Sequence, residues 1–113
     1  DFMMTLQDLE TACREGIRVR VLVFNDNMYR VLNLRQRLQC GGRILGTCHG
    51  NPDFAALART FGAAGWRLER PEEIVPVLED ALSAPGPAVV DVIIDPDDLP
   101  PLNIEATLRM GMG

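Results

Sequence analysis

The stretch "VRVLVFNDNMYRVLNLRQ", residues 19–36, brings three small polar side chains, Asn25, Asp26 and Asn27, to the end of an apolar run, and a helix-like pattern follows at once. In open α/β sheets ligands bind beyond the carboxyl ends of the strands. A helix N-terminus offers N–H groups and a partial positive charge that suit phosphate. A carboxylate beside a phosphate repels it unless a divalent cation lies between them. Mg²⁺ is hard, prefers oxygen, and commonly takes one or two carboxylates together with phosphate oxygens. The corner therefore suits a metal-bridged diphosphate. There is also a plainer use: Asn and Asp are turn formers, and Asp26 would then only turn the chain and cap the next helix. On the corner alone the plainer use weighs more.

Composition narrows what else the chain can do. Its 113 residues suit one small domain with a single core, and 47% hydrophobic with 24% charged residues is ordinary for a globular protein. A net charge of −5 leaves no electrostatic footprint for nucleic acid or anionic lipid. No apolar run approaches the roughly 20 residues of a membrane span. Cys13, Cys40 and Cys48 are irregularly spaced, which speaks against a disulfide framework and fits a cytoplasmic setting. All 11 basic residues are arginine, so a Walker A loop and a Schiff-base lysine are excluded. Ser83 and His49 are the single serine and histidine, and Ser83 falls where a helix runs out, a poor place for a nucleophile. Most of any chemistry would have to come from a cofactor or metal.

The elements that must position the corner follow from periodicity. Residues 5–15 read as a helix with Thr5 as cap, stopped by Gly16, and residues 17–25 as a strand that becomes continuously apolar, as if covered on both faces. Helical spacing returns over 28–39 through Val31, Leu34 and Leu38, and a glycine-rich loop follows. Asn51 and Pro52 suit the start of a helix that runs to Gly62. A short strand over 65–70, a helix from Pro71 that Pro76 must kink or delay, and a strand over 87–95 complete the pattern. The tail from 96 reads as extended, with a short helix at its end. The order α-β-α-α-β-α-β predicts an α/β fold, a parallel sheet with helices on both faces. Three strands are few for such a sheet, and the opening "DFMMT" has no leading strand, so a piece of a longer, N-terminally truncated domain is expected.

With these elements in place, the sequence resembles the C-terminal, diphosphate-binding domain of thiamine-diphosphate enzymes of the acetolactate synthase, pyruvate decarboxylase and benzoylformate decarboxylase family. That family carries Gly-Asp-Gly, a spacer of about two dozen residues, then Asn-Asn or Asn-Asp. Here "DFMMTLQDLETACREGIRVRVLVF" supplies the spacer before Asn25-Asp26, and "NPDFAALARTFGAAGWRLERPEE" and "PAVVDVIIDPDDLPP" extend the likeness across residues 1–113. The resemblance implies thiamine diphosphate and Mg²⁺ as cofactors, with FAD left open. It implies a 2-keto acid substrate that is decarboxylated or ligated, and a homodimer or tetramer.

The same resemblance places the first metal ligand upstream of Asp1, with Asp1 itself next to the cofactor. It places the second ligand at Asp26 and the third, a main-chain carbonyl, at Met28. Tyr29 would lie near the diphosphate, with Val31 and Leu32 turned toward the cofactor ring and substrate. Relatives often carry Gly where this chain has Arg30. The glutamate that activates the cofactor comes in this family from the other domain type on a partner subunit. The rival readings are a non-catalytic diphosphate-binding module and a structural or regulatory α/β domain.

Other residues fit bland uses. Cys40, Cys48 and His49 lack zinc-site spacing. Phe54 and Trp66 suit the core, "DPDDLPP" a solvated acidic turn, and Arg35 an exposed helix face. Because the implied activating glutamate has no counterpart here, residues 1–113 alone are expected to be inactive. A decarboxylation assay of the pure chain should find no 2-keto acid turnover above that of free cofactor.

Overall fold

A computed structural model describes residues 2–98. The chain forms two compact units, Asp1–Asn25 with Asn51–Ile94, and Asp26–Gly50 with Asp95–Gly113. The expected tail helix and Asp1 lie outside the described residues.

The first unit holds a parallel three-stranded sheet. A 3-10 turn, Phe2–Thr5, leads into α1 (Gln7–Arg14), and Gly16 at φ 66° ends it. Thr5 is therefore not a cap. It lies within the 3-10 turn, Leu6 holds the cap position, and no side chain caps α1. The strands are β1 (Arg20–Asn25), β2 (Ala64–Leu68) and β3 (Ala88–Ile93), in the order β1-β3-β2. The helices are α3 (Phe54–Thr60) and α4 (Ile74–Ser83). Pro71–Glu73 form a separate 3-10 turn, so α4 starts late and Pro76 falls in its first turn, where no N–H is needed.

Alternation along the strands sorts the core into two layers. Ala88 and Val90 of β3 pack with Leu68, Ala81 and Ala84, with Ala64, Trp66, Val77 and Val92 beside them, which places α4 on that face. Val89 points the other way, into Leu9, Ala58 and Ala63, flanked by Val21, Val23 and Phe61, so α1 and α3 cover the opposite face. The expected α/β fold with helices on both faces is the observed one. Phe54 is in the core, 3% exposed, and Trp66 is half-buried against the Leu68, Ala81 and Val90 cluster.

The most buried strand is β3, not β1. Paired on both sides, β3 has Val89 at 0% and Val90 at 1% exposure. Among the described residues β1 pairs with β3 alone, and Leu22 and Phe24 are 46% and 67% exposed. The apolar run at 21–24 marks residues that demand cover, but α4 packs over β2 and β3 and stops short of them. Arg20 spans part of that gap by donating to the carbonyls of Leu82, Ala84 and Gly86 at the C-terminal end of α4, where carbonyls lack helical partners.

Helix α3 and strand β2 approach so closely that only glycine fits between them. A Cβ on Gly65 would lie 2.3 Å from the backbone oxygen of Ala55. The obstacle is main chain, so no rotamer change relieves it. Gly65→Ala should cost roughly 1–3 kcal/mol or more, seen as a lower urea midpoint with an unchanged slope.

Candidate functional site

The sheet ends in a polar cluster that lies wholly within the first unit. Asp91, in the middle of β3, has no exposed surface. Its Oδ1 accepts from Asn25 Nδ2 at 3.0 Å and its Oδ2 from the Phe54 N–H at 3.2 Å, with Arg67 Nη1 at 3.6 Å. The carboxylate thus lies against the first residue of α3, where the helix presents unpaired N–H groups. Asn25, the first residue of the polar triplet, is 4% exposed and accepts from Asn51 Nδ2 at 2.8 Å. Asn51 therefore does not cap α3. Asp53 does, its Oδ1 accepting from Ala56 N–H at 2.8 Å. The role of Asp91 escaped sequence reasoning, although an acid inside the apolar run "AVVDVII" was a visible signal.

The corner itself belongs to the second unit. Asp26 Oδ1 accepts from the Met28 N–H at 3.2 Å, an Asx turn, and Asn27 takes the left-handed φ of 57° that Asn tolerates better than most residues. Helix α2 (Arg30–Gln39) begins after Tyr29, which holds the cap position without a side-chain bond. Asp26 thus turns the chain and does not cap the helix. Its side chain is 10% exposed, and its Oδ2 accepts from Arg30 Nε at 2.6 Å.

The glycine-rich loop returns beside this turn. Tyr29 N–H donates to Thr47 O and His49 N–H to Asn27 O, at 2.8 and 2.9 Å, bridging Met28 to Cys48. Neither bond uses the carbonyl of Met28. The Tyr29 and His49 rings meet at a tilt of 56° with centroids 4.5 Å apart. Further along α2, Asn33 is 2% exposed and donates to Thr47 Oγ1 at 3.0 Å, while Gln36 bonds both main-chain groups of Leu45. This overturns the expectation of an apolar inner face: Val31 is 69% exposed, and Leu34 and Leu38 are only half-buried. A loop offers its helix unpaired backbone groups, so amide side chains serve better there than aliphatic ones.

Tyr29 and Leu32 are also exposed, at 47% and 52%, so three of the residues expected beside a cofactor present open side chains at the start of α2. Cys40 and Cys48 are exposed and His49 half-buried, and among the described residues no three His, Cys, Asp or Glu side chains converge to hold a metal. Arg35 is exposed, as expected. Burial, then the nearby Glu10 charge, pushes the Cys13 thiol up, away from the reactive thiolate form. Among the described residues no helix is long and apolar enough to cross a membrane.

Residues 1–92 match the family model of the C-terminal TPP-binding domain of thiamine pyrophosphate enzymes. The chain is 34% identical over 97 residues, 86% of its length, to acetolactate synthase of Bacillus subtilis (strain 168), covering 17% of that relative. It is 33% identical over 99 residues, 88% of its length, to the catabolic acetolactate synthase of Raoultella terrigena, covering 18% of it. It is 33% identical over 94 residues, 83% of its length, to the mitochondrial acetolactate synthase catalytic subunit of Saccharomyces cerevisiae, covering 14% of it. The chain spans less than a fifth of each of these relatives. It belongs to the thiamine pyrophosphate enzyme family, in the part that forms the C-terminal TPP-binding domain.

The Asp91 cluster yields its own expectation. Asp91→Ala removes the carboxylate that accepts from the Asn25 amide and the Phe54 N–H, both buried, at about 1–3 kcal/mol for each lost bond. A total loss of roughly 2–4 kcal/mol should appear in urea unfolding, and Asp91→Asn, which keeps one carbonyl acceptor, should lose less.

Proposed function

From this membership we propose that residues 1–113 are the cofactor-anchoring part of a thiamine-diphosphate- and Mg²⁺-dependent 2-keto acid decarboxylase or carboligase resembling acetolactate synthase. The observation that carries the reading is the corner: a carboxylate at a strand end, 10% exposed, fixed by a backbone N–H just before a helix start. Its donor set suits a hard cation. Asp26 supplies a carboxylate oxygen and Met28 a carbonyl that the adjoining bridge does not use.

In this reading Asp26 and Met28 hold Mg²⁺, and the first residues of α2 receive the diphosphate with their N–H groups. When bound, thiamine diphosphate supplies the electron sink that a 2-keto acid needs to lose carbon dioxide. The exposed Tyr29, Val31 and Leu32 then gain cover against the cofactor and substrate. Asp1 is assigned to the same cofactor site by resemblance. The working protein is a cytoplasmic homodimer or tetramer, because the activating glutamate has to come from another domain type. The second reading, a turn that binds no metal, draws on the Asp26–Arg30 pair, which already balances the carboxylate.

Calorimetric titration of cofactor into the intact protein separates the two, with and without Mg²⁺. Asp26→Asn should keep measurable Mg²⁺-dependent binding, because it keeps an oxygen ligand. Asp26→Ala should lose most of it. Equal affinity for wild type and Ala would leave only the turn.

A further inference from the structure

Arg30 pairs with the carboxylate that the proposed function gives to a divalent cation. Its Nε donates to Asp26 Oδ2 at 2.6 Å, while Nη1 donates to the carbonyl of Asp98 at 2.8 Å and Nη2 to that of Asp95 at 3.0 Å. The guanidinium is thus gripped on three sides, and its side chain is 23% exposed. Asp26 in turn spends Oδ1 on the Met28 N–H, so Arg30 is the cation that balances its charge in this unit.

We propose that Arg30 is a built-in counter-cation that competes with the divalent metal for Asp26. The proposal rests on the reading of Asp26 as a metal ligand. Two positive groups on one carboxylate repel each other. A metal at bonding distance from Oδ2 therefore forces the guanidinium to move off, and the lost charge-assisted bond is deducted from the metal's affinity. The pairing also neutralises and orders Asp26 independently of any metal. Because the same guanidinium holds the carbonyls of 95 and 98, metal occupancy also weakens one tie on the acidic turn.

Mn²⁺ alone, followed by electron paramagnetic resonance, is the probe, because it separates competition for Asp26 from any direct help Arg30 gives to a diphosphate. In the intact protein Arg30→Gln should bind Mn²⁺ on the order of tenfold more tightly than wild type, and Asp26→Ala should abolish binding at this site in both backgrounds. Unchanged or weaker binding by Arg30→Gln, with Asp26→Ala still inactive in binding, overturns the competition and leaves Asp26 as a ligand. Wild-type affinity in Asp26→Ala overturns both. A second measurement needs no variant: phenylglyoxal labelling of Arg30 in the wild-type protein, mapped by mass spectrometry, should speed up when Mn²⁺ is added. Labelling that stays the same or slows overturns the proposal.

Discussion

A carboxylate with no exposed surface, Asp91, sits in the central strand and must be satisfied from three directions. Its partners are the last residue of β1, the first of α3 and an arginine of β2, so one buried charge ties three elements to β3. Removing the charge's partners would leave it desolvated, a cost of several kcal/mol. The elements therefore do not dock independently. The register that pairs Arg20 with Ala88 also brings Asn25 into reach of Asp91. That pairing joins segments far apart in the chain, so sheet closure waits for the last strand and depends on non-local contacts.

The elements themselves were legible because their cues are local. Apolar β-branched runs, the glycine after α1 and the proline near the start of α4 each act over a few residues. Order and parallel pairing then follow from the alternation of elements. Caps were less legible. Thr5 and Asn51 have the chemistry of caps, yet the first is inside a 3-10 turn and the second is spent on Asn25. Choosing among Asn51, Pro52 and Asp53 requires knowing which has a distant partner. Asp91 shows the same limit, since its hydrogen-bond partners lie 66 and 37 positions away. For the candidate site, Asp26 and its turn were readable from "FNDNMY". Its pairing with Arg30 four residues on has ordinary helical ion-pair spacing, but α2 starts only at Arg30.

The two units are stabilised differently. The sheet unit packs aliphatic side chains in two layers. The unit carrying the corner relies on polar side chains: Gln36 grips the backbone of Leu45 and Arg30 the carbonyls of 95 and 98, while buried Asn33 bonds the Thr47 hydroxyl. Hydrogen bonds to exposed backbone exchange with water at small net cost, whereas buried apolar contacts do not. A region built this way can rearrange around an incoming ligand while the sheet keeps its register.

The open side of β1 bears on how the chain behaves as a material. Among the described residues one edge of β1 has no partner strand, and such an edge, with Leu22 and Phe24 exposed, is a template onto which another extended segment can add. Exposed Arg18, two residues before the strand, is a charge that discourages such addition, since Arg20 is turned away to α4. Concentrated solutions of the separate 113-residue chain would favour such addition, and a charged residue in place of Phe24 would oppose it.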